Sequence, residues 1–239
     1  MQDILKLIKE RQSSMIPFDE KHPIVKKDLI QILEAASWAP TAHNMQNFQI
    51  IVLDDKKLLE KIGNIKSQIS EVFLKENYQQ LSFSIDEFLN KRVGLLASNF
   101  PKLWQTPEGI EKVLKTSSPS TLSNTINDSQ TVLIVVYDTR KRAPASEGDF
   151  LGIISLGNVM ENMWIMANSL GIGFQIMSVF SSETMEEKIK QILNIPKYLK
   201  IAFAIRLGYA ISQGSKYLRV RRNVEDFAHH NEFGSKYHI

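Results

Sequence analysis

Residues 148–180 read GDFLGIISLGNVMENMWIMANSLGIGFQIMSVF, and this stretch decides the fold. From Asp149 to Leu170 apolar side chains (Phe150, Leu151, Ile153, Ile154, Leu156, Val159, Met160, Met163, Trp164, Ile165, Met166) run almost all the way round a helical wheel. A helix apolar on every side is buried on every side. It is either a central core helix or one half covered by a second subunit. Gly152 and Gly157 would let another backbone approach closely, and Gly171 ends the helix where a left-handed residue costs least. IGFQIMSVF (172–180) then reads as a strand.

Working outward, TVLIVVY (131–137) is a continuous apolar run, which suits a strand covered on both faces. FQIIVL (48–53) and YLKIAFAIRLGYA (198–210) add two more strands. Apolar spacing predicts helices over Asp3–Glu10, Lys26–Ala39, Asp54–Ile62 and Ser182–Leu193. The second has Leu29, Ile30, Ile32, Leu33 and Ala36 on one face and stops at Pro40; the last is closed by Pro196. From about 65 to 125 a charged helical pattern near Glu71–Arg92 gives way to Pro101, Pro107 and TSSPSTLSNT (116–125). These are expected to be helical excursions and a mobile loop outside the central sheet. The tail from Ser212 is polar and basic. With no repeat, low-complexity segment or clear linker, 1–239 reads as one α+β domain with about four strands.

Composition narrows the chemistry. The 239 residues are 43% apolar and 23% charged, which is globular, and they contain no cysteine. Disulfides, thiolate nucleophiles, zinc–cysteine sites and iron–sulfur clusters are excluded together. A net charge of +3 is too small to argue for nucleic acid. The opening MQDILKLIKE carries alternating charge and does not read as a signal peptide. No apolar run approaches the ~18 residues of a membrane span. The expectation is a soluble, cytoplasmic protein.

No nucleophile elbow, phosphate-binding Walker loop or HExxH pair is present, and the GxG at Gly171–Gly173 lacks its third glycine. The five histidines lack metal-ligand spacing, so no metal site is expected; His229-His230 reads as a solvated pair. An enzyme built from this chain would borrow its chemistry from a cofactor. Three clusters remain. Arg11-Gln12-Ser13-Ser14 offers a guanidinium with hydroxyl and amide groups, suited to phosphate. Pro40-Thr41-Ala42-His43-Asn44-Met45-Gln46-Asn47-Phe48 places five hydrogen-bonding side chains between a helix and a strand, where they could read the polar edge of a heterocycle. Arg219-Val220-Arg221-Arg222 is a basic tail. Each has a plainer reading alone: a solvated helix end, a polar turn and a solvated tail.

Taken in order, these stretches resemble the nitroreductase family. RQSS, then DLIQILEAASWAPTAHNMQNFQIIV, is similar to that family's amino-terminal signature; GDFLGIISLGNVMENMWIMANSLGIGFQIMSVF to its long central helix and following strand; and LGYA with LRVRRNVEDFAHHNEFG to its closing strand and carboxy-terminal arm. The resemblance covers most of the chain except about 65–125. It implies a three-layer α+β fold, with a mostly antiparallel central sheet flanked by helices, in an intertwined homodimer with FMN at the subunit interface and 212–239 as an arm. It implies an FMN-dependent oxidoreductase passing a hydride from NAD(P)H through flavin N5 to a nitroaromatic, quinone or similar acceptor by ping-pong turnover, with no catalytic side chain. Carried over, Arg11, Gln12 and Ser13 would contact phosphate and flavin. Thr41, His43, Asn44 and Gln46 would touch the isoalloxazine and ribityl groups. Ile176, Met177, Ser178 and Val179 would lie near flavin N5, and Arg219 and Arg221 would clamp the phosphate. Three departures stand out: Met15 replaces a second cation, Asn47-Phe48 replaces Pro-Trp, and 172–180 lacks an acidic residue; the first and last bear on FMN affinity and substrate range, and neither removes the flavin site. The alternatives are a flavin-modifying or dehalogenase-like relative, a non-catalytic flavin-binding module, and a nucleic-acid-binding protein using the basic tail.

Overall fold

The computed structural model describes residues 4–67, 70–75, 80–116, 121–144, 148–211 and 218–236. The chain divides into two compact units, one of residues 1–67 and 121–214 and one of 68–120 and 215–239. The first unit begins with α1 (Ile4–Glu10), α2 (Lys26–Ser37), β1 (Gln49–Leu53) and α3 (Lys56–Gly63). The second contributes β2 (Ser82–Phe83), α4 (Ile85–Lys91), β3 (Leu95–Leu96) and α5 (Pro107–Thr116). The first then resumes with α6 (Ser123–Ile126), β4 (Thr131–Asp138), α7 (Phe150–Ser169), β5 (Gly173–Met177), α8 (Glu183–Ile192) and β6 (Leu199–Gly208).

The first unit is built on a four-stranded sheet ordered β1-β4-β6-β5, antiparallel at every pairing. The apolar run in β4 explains its place inside the sheet. Successive strand side chains point to opposite faces. Val132, Ile134 and Val136 enter one core with Leu59 and Ile62 of α3 and Met185 and Ile189 of α8. Leu133 and Val135 enter another with Ile32 and Ala36 of α2 and Val159, Met163 and Ala167 of α7. The result is three layers, an α+β fold as the sequence implies.

The amino-terminal segment straps the β5 edge of this sheet. Ser14 N donates to Phe174 O at 2.9 Å, and Phe174 N donates to Ser14 Oγ at 3.2 Å. Phe18, 1% exposed, lies over Gly173 and Gly208, where a Cβ would come within 2.5 and 2.6 Å of its ring. Arg206, 3% exposed, ties the strap down from β6. It donates to Ile16 O (2.7 Å), Ser14 O (3.3 Å), Thr125 O (3.1 Å), Asp128 Oδ1 (2.8 Å) and the Gln175 side chain.

Two expectations are corrected and one is narrowed. Of the two readings of α7, the one buried on every side within the chain is excluded: Phe150, Ile153 and Ile154 are 70%, 58% and 44% exposed, because the sheet and α2 cover only the Ser155–Ala167 stripe. Within the chain no other backbone comes near Gly157, where a Cβ would meet nothing within 4 Å. The strand read over 172–180 ends at Met177, and Ser178–Ser181 turn into a 3-10 helix. Among the described residues α7 is also long and apolar enough, by length and composition, to cross a membrane (mean hydropathy 1.3). An uninterrupted-run count misses this because Ser155, Asn158, Glu161 and Asn162 break the run without lowering the mean far.

The second unit, described by itself, pairs β2 with β3 in parallel and packs Leu74 and Ile110 among Phe100, Trp104, Val113 and Leu114. A full capping box starts α4, with Ser84 and Glu87 bonding reciprocally. Residues 68–69, 76–79 and 117–120 of the expected excursion, and 212–217 and 237–239 of the expected arm, lie outside the described residues.

Candidate functional site

The loop 41–47 leads from α2 into β1, and its backbone is unusual. His43, Asn44 and Gln46 have φ of 51°, 53° and 42°. Non-glycine residues in the left-handed region cost free energy and persist only where surrounding contacts over-determine them. Those contacts come from α7. Ser155 Oγ accepts from Ala42 N at 3.0 Å, Asn158 Nδ2 donates to Pro40 O at 2.9 Å, and Asn162 Nδ2 donates to Ala35 O at 3.1 Å. Spaced at i, i+3 and i+7, these residues form one polar stripe on the helix. At the other end Asn47 pairs with the Asp138 backbone, donating to its carbonyl at 2.9 Å and accepting from its N–H at 3.2 Å. The Asn47 that departs from the family pattern is thus a strut between loop and β4.

The strained backbone leaves His43, Asn44 and Gln46 exposed, with Thr41 half-buried. Thr41 Oγ1 accepts from Gln46 N (3.2 Å), and Gln46 Nε2 donates to Asn44 Oδ1 (2.8 Å). The Asn44 amide nitrogen and the Gln46 amide oxygen keep bonding capacity, a donor beside an acceptor. That pattern matches a heterocycle edge carrying a carbonyl next to a ring N–H. Beneath the loop, Met45, Asn47, Phe48, Tyr137, Gly152, Ser155 and Leu156 line a small cleft. Burial pushes the Tyr137 hydroxyl up, with Asp149 and Glu186 adding to it.

The same helix holds the amino-terminal cluster. Arg11 Nε donates to Glu161 Oε1 at 2.6 Å, and its guanidinium lies 4.6 Å from the centre of the Trp164 ring. Trp164 stacks on Phe174 at 5.1 Å, and its Nε1 donates to Gln12 O at 3.4 Å. Gln12 and Ser13 are half-buried beside them. Six residues of helix separate Ser155 from Glu161, about 9 Å along the axis. One element therefore carries both the phosphate-suited strap and the amide-bearing loop. Ile176 and Met177 lie at the end of β5, with Met177 buried; Ser178 is exposed and Val179 half-buried in the following turn.

Arg219 and Arg221 belong to the second unit and are exposed. Arg221 Nη1 donates to Val220 O at 2.7 Å, and Asn223 just beyond starts the Val224–Asp226 turn. Sequence reasoning missed Ser155, Asn158, Asn162, Glu161 and Trp164 as supports. The polar stripe was visible in their spacing, but the Arg11–Glu161 pair spans 150 residues and leaves no local signal.

Another cleft lies elsewhere in the first unit. About 950 Å³ in volume, it runs along α8 past Glu183, Glu187, Lys197 and Lys200. Its Lys190 is committed to Lys197 O and Leu199 O, at 3.1 and 2.6 Å. It holds no arrangement of reactive groups comparable to the loop and strap.

An antiparallel three-layer core, with a strained, amide-bearing loop and an arginine strap on one apolar helix, defines the class of fold as α+β. The chain belongs to the nitroreductase family, whose model matches residues 8–209. It is similar to a curated NADPH-dependent oxidoreductase of Staphylococcus aureus, 21% identical over 233 residues, covering 98% of this chain and 75% of that protein. Among solved structures, a nitroreductase with bound FMN from Bacteroides fragilis NCTC 9343 has a TM-score of 0.60 at 19% identity, covering 95% of this chain and 98% of that one. A putative NADH dehydrogenase/NAD(P)H nitroreductase from Parabacteroides distasonis ATCC 8503 also has a TM-score of 0.60, at 15% identity, covering 98% and 100%. At such identities these structures speak for the fold alone.

Proposed function

We propose that the protein is an FMN-dependent NAD(P)H oxidoreductase acting on a nitroaromatic, quinone or similar small acceptor. The observation that carries this reading is the 43–46 loop, left-handed at His43, Asn44 and Gln46 and braced by α7 so that its amides stay presented. A cost of order 1–3 kcal/mol per strained residue is worth bearing only for such presentation. The donor set fits FMN: the Arg11 guanidinium and the Ser13 hydroxyl for phosphate, amides at Asn44 and Gln46 for the polar ring edge, and apolar Ile176 and Val179 for the flat face. Bound there, the flavin would supply hydride acceptance at N5 and delivery to the second substrate at the same place. The chain's own residues bind and orient. Thr41, His43, Asn44 and Gln46 fix the ring, Arg11, Gln12 and Ser13 hold the phosphate end, and Arg219 and Arg221 contribute cations from the arm. No side chain serves as an obligatory proton shuttle.

A second copy of the chain is part of this reading, with FMN at the interface. Its support is the open apolar side of α7 together with Trp38, 79% exposed, and α1, which buries no residue. A cysteine-free chain fits a cytoplasmic setting. The test is the visible spectrum and the sedimentation mass of the purified protein. A yellow homodimer with FMN near one per subunit, reduced anaerobically by NADH or NADPH, is expected. A colourless monomer that takes up no added FMN overturns the proposal. Flavin that binds but is not reduced by either nucleotide leaves a flavoprotein of other chemistry.

A further inference from the structure

α7 contains a single charged residue, Glu161, in twenty. No cation shares the helix, so its partner comes from 150 residues earlier in the chain: Arg11, whose Nε donates to Glu161 Oε1 at 2.6 Å. The two side chains are 26% and 34% exposed, and the guanidinium is also held against the Trp164 ring at 4.6 Å. An apolar residue at position 161 would suit the helix better by packing alone. Half-burying a carboxylate there costs free energy that only its partner offsets. Glu161 therefore balances the charge of the one cation in the RQSS cluster.

We infer that Glu161 is a built-in counter-anion that competes with the cofactor's phosphate for Arg11 and so sets how strongly this site prefers a phosphorylated flavin. The inference rests on the proposed FMN reading. A phosphate arriving at Arg11 meets a guanidinium whose charge is already matched. It must displace the carboxylate from Nε or settle beside it, two like charges flanking one cation at about 6 Å. Either way the affinity for phosphate falls, while an uncharged flavin lacking the phosphate is indifferent to residue 161. Glu161→Gln keeps the shape and a hydrogen-bonding side chain and removes only the charge. Its effect belongs in the ratio of affinities for FMN and riboflavin.

The experiment titrates the full chain and Glu161→Gln, each freed of flavin, with FMN and with riboflavin, following flavin fluorescence at low and high salt. Glu161→Gln is expected to raise the FMN-over-riboflavin preference about five- to tenfold at low salt, with the gain shrinking as salt screens the site. Riboflavin affinity should stay within about twofold, which a general loss of structure would not permit. A preference that is unchanged or lower in Glu161→Gln overturns the inference; a lower one would make Glu161 an aligner of Arg11 instead. Arg11→Gln separates the two levels of the argument. If it leaves the wild-type preference intact, the phosphate does not sit on Arg11. If neither flavin binds the wild-type chain, the FMN reading falls and takes this inference with it.

Discussion

Replacing Arg206 by methionine should be the most damaging single change in the first unit. Its guanidinium is 3% exposed and engages Asp128, Thr125 O, Ser14 O, Ile16 O and Gln175, with the Phe18 ring 4.3 Å away. Burial pushes the Arg206 guanidinium down and the Asp128 carboxyl up, in each case against the partner's attraction. The pair is therefore held by geometry rather than by a large net electrostatic gain. Removing one member of a buried pair strands the other, which costs about 3–5 kcal/mol. For a chain of this size each kcal/mol moves the melting point roughly 2–4 °C, so a fall of about 6–20 °C is expected. Calorimetry and urea unfolding followed by circular dichroism measure it. The double variant Arg206→Met/Asp128→Leu should recover a substantial part, since it leaves no orphaned charge. A single variant within about 1 kcal/mol of wild type, or a double variant that is simply the sum of two losses, would refute the reasoning.

Other outcomes follow from the same structure. Arg219→Ala with Arg221→Ala should weaken FMN binding more than either alone, each charged contact to phosphate being worth about 1.5–3 kcal/mol, as equilibrium dialysis would show. His43→Ala should change FMN affinity yet leave the flavin-saturated rate within about tenfold, whereas a shuttle would lose roughly 10²–10⁴-fold. Gln46→Gly, relieving a φ of 42°, should raise thermal stability by up to about 1 kcal/mol while loosening flavin binding. Arg140 grips Asp138 with two side-chain bonds, at 2.9 and 2.8 Å, and holds its carboxyl at about 2 against an ordinary 3.8. The folded state thus binds this proton less readily than the unfolded chain. The stabilisation is fully present above pH 3.8 and lost as pH falls through about 2. Arg140→Ala should accordingly move the acid-unfolding midpoint to higher pH.

Much of the sheet was legible because its signals are local. The run 131–137 suits a doubly covered strand, and it is β4, with alternate residues in two cores. Gly171 closes α7 at φ +70°, and α2 ends before Pro40 as read. The site was legible in parts. The polar residues of 41–47 advertise a ligand-reading loop, but its left-handed backbone depends on Ser155 and Asn158, more than a hundred residues away. Arg206 illustrates the limit: in sequence it merely interrupts an apolar strand, and in the fold it reaches from β6 to hold the strap through several side-chain bonds. The stretch from 65 to 125 was hardest because its helices are short and its β pairing is only two residues long, too little for periodicity to register.

The strap also bears on how the chain reaches this state. Arg206 joins carbonyls 190 and 192 positions earlier in the chain, so these bonds cannot form until most of the first unit has closed around them. Loop closure over that span must be met before any contact rewards it, which places strap docking late on the folding route. Elements that dock last are often the first to open in the native state. Hydrogen exchange at Ser14 and Phe174 should then run ahead of the β4 amides, and destabilising the strap should speed unfolding far more than it slows folding. The residues proposed to hold the cofactor's phosphate would thus ride on an edge of the sheet that can open without the core opening.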